Sequence, residues 1–247
     1  MNYLGKHVWI IGASSGIGRA LATTLAARGA HLALSARRSD ELDSLVAALG
    51  NKHRAFTLDV ANAAVFTANA EAVKHHFGTI DHVIMLAGVY TPASLAKMDI
   101  AEAHKIVDIN LMGSINCLHA VLPCLRAQGH GQIALCASVA GYRGLPNAQP
   151  YAATKAAIIN LAESAYIEES RNGVDVRLIS PGFVRTPMTD KNNFSMPMMV
   201  SAQAAADAIA DGLLSPAFEI HFPKRFTLIM KLLQFLPNAL YLRLARR

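Results

Sequence analysis

Acidic residues stop at Glu219. Residues 1–219 hold 17 Lys/Arg against 17 Asp/Glu, so the formal charge of +6 sits on Lys224, Arg225, Lys231, Arg243, Arg246 and Arg247. A body of zero net charge argues against a nucleic-acid-binding surface on the main domain, since such surfaces neutralise phosphates with clustered Lys and Arg. Cysteine is scarce as well. Cys117, Cys124 and Cys136 are too few, and odd in number, for a disulfide framework. Cys117 and Cys124, seven apart in a helical stretch, read as small buried hydrophobes. Residues 1–6 run at once into the strand-like HVWIIG, without the pattern of a secretory signal. The expected compartment is reducing and cytoplasmic. No constellation has metal-ligand spacing, His75 and His76 reading as surface helix residues, and no metal is expected. Repeats, low-complexity tracts and linkers are missing too.

What is there is mostly apolar. A chain of 247 residues, 53% hydrophobic, can bury one large core. Short β-rich runs at 7–12, 31–36, 55–60, 81–88, 131–138 and 174–180 read as strands. Alanine-rich segments with helical spacing separate them, at 19–27, 40–49, 64–77, 101–128 and 151–171. Strands that are continuously apolar and alternate with helices predict a single α/β domain: a doubly wound, Rossmann-like parallel sheet covered on both faces. We expect residues 1–222 to form this domain and 223–247 a basic amphipathic helical extension.

Two stretches carry chemistry. In IIGASSGIGRALATTLAARG, Gly12, Gly16 and Gly18 follow a strand and lead into a helix. Glycines there allow a tight turn and close backbone approach, and the helix N-terminus faces a pyrophosphate. About 20 residues on, where an acid would bind the ribose of NAD, the second strand ends in Arg37 and Arg38, with no acid before Asp40. Arginine forks suit a phosphate, which favours NADP(H); the alternative is a pair of solvated loop residues. In GLPNAQPYAATK, Tyr151 stands four residues before Lys155, directly after Pro150, so both emerge on one face near a helix start. An ammonium beside a phenol lowers the phenol's pKa by roughly 1–3 units and suits it to acid/base work. A surface Tyr/Lys pair is the bland alternative.

With these stretches in hand, the chain resembles the short-chain dehydrogenase/reductase family from about residue 8 to 186. GASSGIG at 12–18, LDV at 58–60, INLMG at 109–113, ASVAG at 137–141, YAATK at 151–155 and PGFVRT at 181–186 occur in the family's order. The resemblance implies a nicotinamide-dependent oxidoreductase acting on a carbonyl or a secondary alcohol. Tyr151 would be the general acid/base, Lys155 would tune it and hold the nicotinamide ribose, Ser138 would hold the substrate oxygen, and Asn110 would complete a proton relay. The loop Gly12, Ser14, Ser15, Gly16, Ile17 and Gly18, with Ala87 and Gly88, would hold the dinucleotide. Arg37 and Arg38 would meet the 2′-phosphate, with Ser14 alongside, while Asp59 and Val60 would border the adenine. Pro181 and Gly182 would turn beneath the nicotinamide, and Val184 and Thr186 would meet its carboxamide. A homodimer or homotetramer formed by the long helices around Asn110 and Tyr151 is implied as well. One departure matters: where the family carries Asn-Asn-Ala-Gly, this chain reads Met85-Leu86-Ala87-Gly88, and apolar packing is expected to replace two amides.

Two segments bear on substrate. Residues 183–201, with Phe183, Met188, Phe194, Met196, Met198 and Met199, read as an apolar, adaptable substrate loop. In 224–236 the polar residues Lys224, Thr227, Lys231 and Gln234 form one narrow helical stripe, and Phe226, Leu228, Ile229, Met230, Leu232, Leu233, Phe235 and Leu236 cover the rest. That run is too short to span a bilayer. It suits either peripheral contact with an anionic membrane or packing on a partner subunit or over the cleft. The expected substrate is an apolar or lipid-like carbonyl or alcohol. A non-catalytic NADP sensor and a membrane-surface lipid-binding protein are the alternatives.

Overall fold

Apolar side chains alternate along every central strand, so the sheet has two buried faces and needs a helical layer on each. The computed structural model describes residues 3–191 and 194–246. Its seven strands are β1 (His7–Ile11), β2 (His31–Ala36), β3 (Arg54–Thr57), β4 (His82–Met85), β5 (Gly131–Cys136), β6 (Val174–Pro181) and β7 (Glu219–Phe222). All pair in parallel, in the order β3-β2-β1-β4-β5-β6-β7.

On one face, Trp9 and Ile11 of β1 pack with Phe66 of α3 (Ala63–Phe77), Val121 of α5 (Gly113–Gln128) and Ile158 of α6 (Tyr151–Glu169). On the other, Val8 and Ile10 pack with Leu21 of α1 (Gly16–Ala27), Leu42 of α2 (Ser39–Leu49) and Ile209 of α7 (Ala202–Leu213). Trp9 is fully buried and satisfies its indole N–H on Ser35 Oγ at 2.9 Å. The chain turns one way from β1 through β2 to β3, then returns to place β4 on β1's other side. The crevice between the C-terminal ends of β1 and β4 is thus a topological switch point, where open α/β sheets bind ligands.

The single doubly wound domain read from the sequence is the observed fold. β7 and α7 were not foreseen. EIHF is four residues long and half polar, too short for a period to register, and α7 is recognisable mainly by its buried Ala205, Ala206, Ile209, Ala210 and Leu213. The predicted 101–128 helix divides into α4 (Ile100–Val107), a π-helical turn (Asp108–Met112) and α5. Among the described residues, 100–128 is the one stretch long and apolar enough to cross a bilayer, and it is built against the sheet. Beyond β7 come α8 (Lys224–Phe235) and α9 (Asn238–Ala245). In α8, Thr227 and Lys231 of the predicted polar stripe lie on the docked face beside Phe226, Met230 and Leu233, while Lys224 and Gln234 are exposed, an arrangement taken up below.

Candidate active site

The turn after β1 can be built only with glycine. Gly12 has φ +97°, and a Cβ there would lie 2.7 Å from the backbone N of Ala87. A Cβ on Gly18 would lie 2.2 Å from the carbonyl oxygen of Gly12, so α1 starts hard against the turn. Ser15, at the N-cap of α1, makes no side-chain cap, which leaves the first-turn amides directed at the crevice. The crevice is a cleft of ≈ 350 Å³ walled by Gly12, Ser14, Ser15, Gly16, Ile17, Gly18, Arg37, Arg38, Asp59, Val60, Ala87, Gly88 and Thr186. Arg38 donates to Ser14 Oγ at 3.1 Å and lies 3.9 Å from Glu41, which also pairs with Arg19 at 3.1 Å. Arg37 is exposed at the same rim and makes no ion pair among the described residues. A glycine cradle, open helix-terminal amides and two rim guanidiniums fit a nicotinamide dinucleotide.

Sequence reasoning missed part of this cleft. Ala36, Leu58, Leu86, Val89, Ile109, Cys136, Pro187 and Met188 also line it. They are apolar wall positions: Leu58, Leu86 and Ile109 lie within the stretches compared with the family, Met188 lies in the expected substrate loop, and the others sit beside these segments. Five expected cofactor residues, Tyr151, Lys155, Pro181, Gly182 and Val184, stand apart from the wall. Pro181 ends β6, Gly182 donates its N–H to Phe222 O at 2.7 Å, and Val184 is buried at 3% exposure. Thr186 is held by Thr189, whose Oγ1 accepts the Thr186 N–H at 3.0 Å.

The acid/base candidates gather behind the wall residues Gly88, Val89 and Cys136. Tyr151 is the first residue of α6 and Lys155 lies one turn on, 4% exposed, with Nζ 5.5 Å from the Tyr151 ring centre. Lys155 Nζ donates to the Cys136 carbonyl at 2.8 Å and stands 3.7 Å from where a Cβ on Gly88 would be. Gly141 allows this packing, because a Cβ there would lie 2.7 Å from the Lys155 backbone. Ser138 begins the turn after β5, its Oγ accepting the Ala140 N–H at 3.1 Å and donating to Pro181 O at 3.4 Å. Tyr90 packs edge-on against Tyr151 at 4.9 Å.

The electrostatics differ from the expected lysine-lowered phenol. Loss of solvent pushes the Tyr151 phenol above its ordinary range, Cys136 and Tyr90 add to this, and a hydrogen bond with Ser138 opposes it. Burial pulls the Lys155 ammonium down, with Cys136 opposing. Desolvation by burial is the largest influence on both groups. Asn110 is completely buried in the π-helical turn. Its Oδ1 accepts the Val89 N–H at 2.8 Å, and its Nδ2 donates to Val89 O at 3.0 Å and Thr154 Oγ1 at 3.3 Å. The side chain therefore pins the loop that follows Gly88. Met85, in the place of an amide, is 1% exposed and packs in the core, its Cε 3.3 Å from the Cβ position of Gly113. Apolar packing does replace the amide there. Among the described residues no cluster of three or more His, Cys, Asp or Glu could hold a metal.

A parallel sheet with a glycine turn at its switch point and a tyrosine–lysine helix at the cleft's end defines a dinucleotide-dependent oxidoreductase. The short chain dehydrogenase profile matches residues 6–196, and the chain belongs to that family. An uncharacterized oxidoreductase of Staphylococcus epidermidis is 35% identical over 212 residues, covering 86% of this chain and 92% of its own. The 3-oxoacyl-(acyl-carrier-protein) reductase of Escherichia coli is 33% identical over 189 residues, covering 76% and 78%. The crystal structure of a short chain dehydrogenase/reductase from Burkholderia phymatum in complex with NAD superposes with a TM-score of 0.86 at 25% identity, covering 94% of each chain.

Proposed function

We propose that the protein is an NADP(H)-dependent carbonyl reductase, or the corresponding alcohol dehydrogenase, acting on an apolar substrate. The observation that carries this reading is the grouping of Ser138 with Tyr151 and of Lys155 one helical turn on, the lysine adjoining the cleft-wall residues Gly88 and Cys136. A bound nicotinamide would supply or accept the hydride. Tyr151 gives its phenolic proton to the substrate oxygen as the C–O bond becomes an alkoxide, and takes it back in oxidation. Ser138 holds that oxygen beside the phenol. Lys155 offsets the phenolate left behind and would hold the ribose. Asn110 fixes the backbone at Val89 and would close a relay for the returning proton.

The desolvated phenol stays protonated in the free protein, which suits reduction. Arg37 and Arg38 favour the 2′-phosphate of NADP(H), although the Burkholderia phymatum relative was crystallised with NAD. The substrate side is aromatic: Phe183 packs on Phe226 at 5.4 Å and on Phe194 at 6.0 Å, and Tyr90 faces Tyr151. The Escherichia coli relative's name specifies a 3-oxoacyl group, a ketone that fits such a wall. Exposed Met112 and Ile115, with Tyr166 and Ile167 on α6, support self-association through the long helices of a cytoplasmic homodimer or homotetramer. The test is NADPH absorbance followed across carbonyls graded from small aldehydes to long-chain and steroid-like ketones. Turnover rising with apolar size is expected; no turnover of any carbonyl or alcohol, with either cofactor, would refute the reading.

A further inference from the structure

Helix α8 docks through a mixed face of Phe226, Thr227, Met230, Lys231 and Leu233 and leaves a second apolar stripe outside. Thr227 is completely buried and its hydroxyl pairs with His221 Nδ1 at 2.6 Å. Lys231 turns inward to Glu219 at 2.5 Å. The second stripe points outward: Leu228, Ile229, Leu232 and Phe235 are 52, 49, 69 and 83% exposed. They stand at i, i+1, i+4 and i+7, one continuous stripe. Helix α9 continues the surface with exposed Leu240, Leu242 and Leu244.

The pair cannot simply roll over. Tyr241 donates to the Gly144 carbonyl at 2.6 Å, Arg143 lies over the Tyr241 ring at 4.3 Å and donates to Asn238 Oδ1 at 3.0 Å. Met230, with Phe226 and Leu233, fills a small core against Val139 and Tyr142. Burial of polar groups and exposure of leucines are therefore fixed together.

Charge decides what covers the stripe. Lys224 and Arg225 begin α8, Arg243 and Arg246 end α9, and no acid follows Glu219, itself neutralised by Lys231. An apolar stripe flanked only by cations complements an anionic bilayer, where leucines and phenylalanine enter the acyl boundary and arginines meet headgroups. A symmetric contact between two copies would instead set cation against cation. We propose that α8 and α9 form a docking face for an anionic lipid surface. Phe226, on the inner side of α8, packs on Phe183 of the expected substrate loop, so this docking face adjoins that loop. The binding is independent of the reductase reading.

The experiment is co-sedimentation of the full chain with phosphatidylcholine vesicles, with and without phosphatidylglycerol. The wild type is compared with Leu232→Glu/Phe235→Glu and with Arg225→Glu/Arg243→Glu, all exposed positions whose folding is checked by thermal melting. Wild type is expected to pellet with the phosphatidylglycerol vesicles and to be released by high salt. Each variant should show a partition coefficient lower by about tenfold or more. Failure of the wild type to pellet, or equal pelleting of Leu232→Glu/Phe235→Glu, overturns the proposal. So does a lipid-free wild type whose mass by light scattering is a multiple of that variant's, because a second copy would then be the cover.

Discussion

Replacing Lys231 with methionine would remove the cation that holds α8 to the sheet edge and leave a carboxylate behind. Lys231 and Glu219 side chains are 28 and 16% exposed and meet at 2.5 Å, and Tyr142 also donates to Glu219. Burial pushes the Glu219 carboxyl up, but hydrogen bonds from Lys231 and Tyr142 and the Lys231 charge outweigh it, so the carboxyl lies below its ordinary range. Deleting one partner of a fully buried pair costs about 3–5 kcal/mol. Here water reaches the lysine and Tyr142 remains, so about 2 kcal/mol is the expected loss at neutral pH. For a chain of this size that lowers Tm by about 4–8 °C. Hydrogen exchange should speed up in 224–235 before the central strands. The pH sign follows from the lowered folded pKa. The carboxylate's stabilisation is complete above its unfolded pKa and is lost as pH falls through the folded one, so the gap between variant and wild type should close in acid. Glu219→Gln added to Lys231→Met should recover most of the loss. A Tm change below about 1 °C, or a gap that widens in acid, would refute the reasoning.

Three other outcomes follow from the cleft and the core. Gly18→Ala places a Cβ 2.2 Å from Gly12 O, so the Kd for NADPH should rise by at least about tenfold while the sheet still folds, measured by fluorescence titration and circular dichroism. Arg37→Ala and Arg38→Ala should each weaken NADPH by roughly tenfold and NADH by less than about twofold, and equal effects would remove the phosphate assignment. Phe66→Ala, emptying a site edge-on to Trp9, should cost about 3–5 kcal/mol in denaturant unfolding, and a loss under about 1 kcal/mol would mean the core collapses around it.

The sequence carried the sheet because β1, β2, β4, β5 and β6 are apolar on both faces, a pattern that survives without any contact information. It carried the cradle because Gly12 and Gly18 answer to backbone geometry that no other residue tolerates. It carried the association of Tyr151 with Lys155 because helical spacing alone makes them neighbours. What it did not carry is tertiary. The apolar walls, such as Ile109 and Cys136, are set by which strand ends adjoin. The protonation balance at Tyr151 turns on the burial of its phenol, which the fold as a whole sets. The facing of α8 is the sharpest case. A stripe of Thr227 and Lys231 reads as the solvent side until His221 and Glu219 on β7 claim both side chains, and β7 itself is too short to be seen in the sequence.

The central claim, that Tyr151 transfers the proton to a carbonyl oxygen, is tested most directly by rapid mixing of NADPH-loaded wild type and Tyr151→Phe with a carbonyl that the wild type reduces. The account predicts unchanged NADPH binding and a loss of absorbance slowed by at least about a hundredfold. A Tyr151→Phe rate near that of the wild type would contradict it.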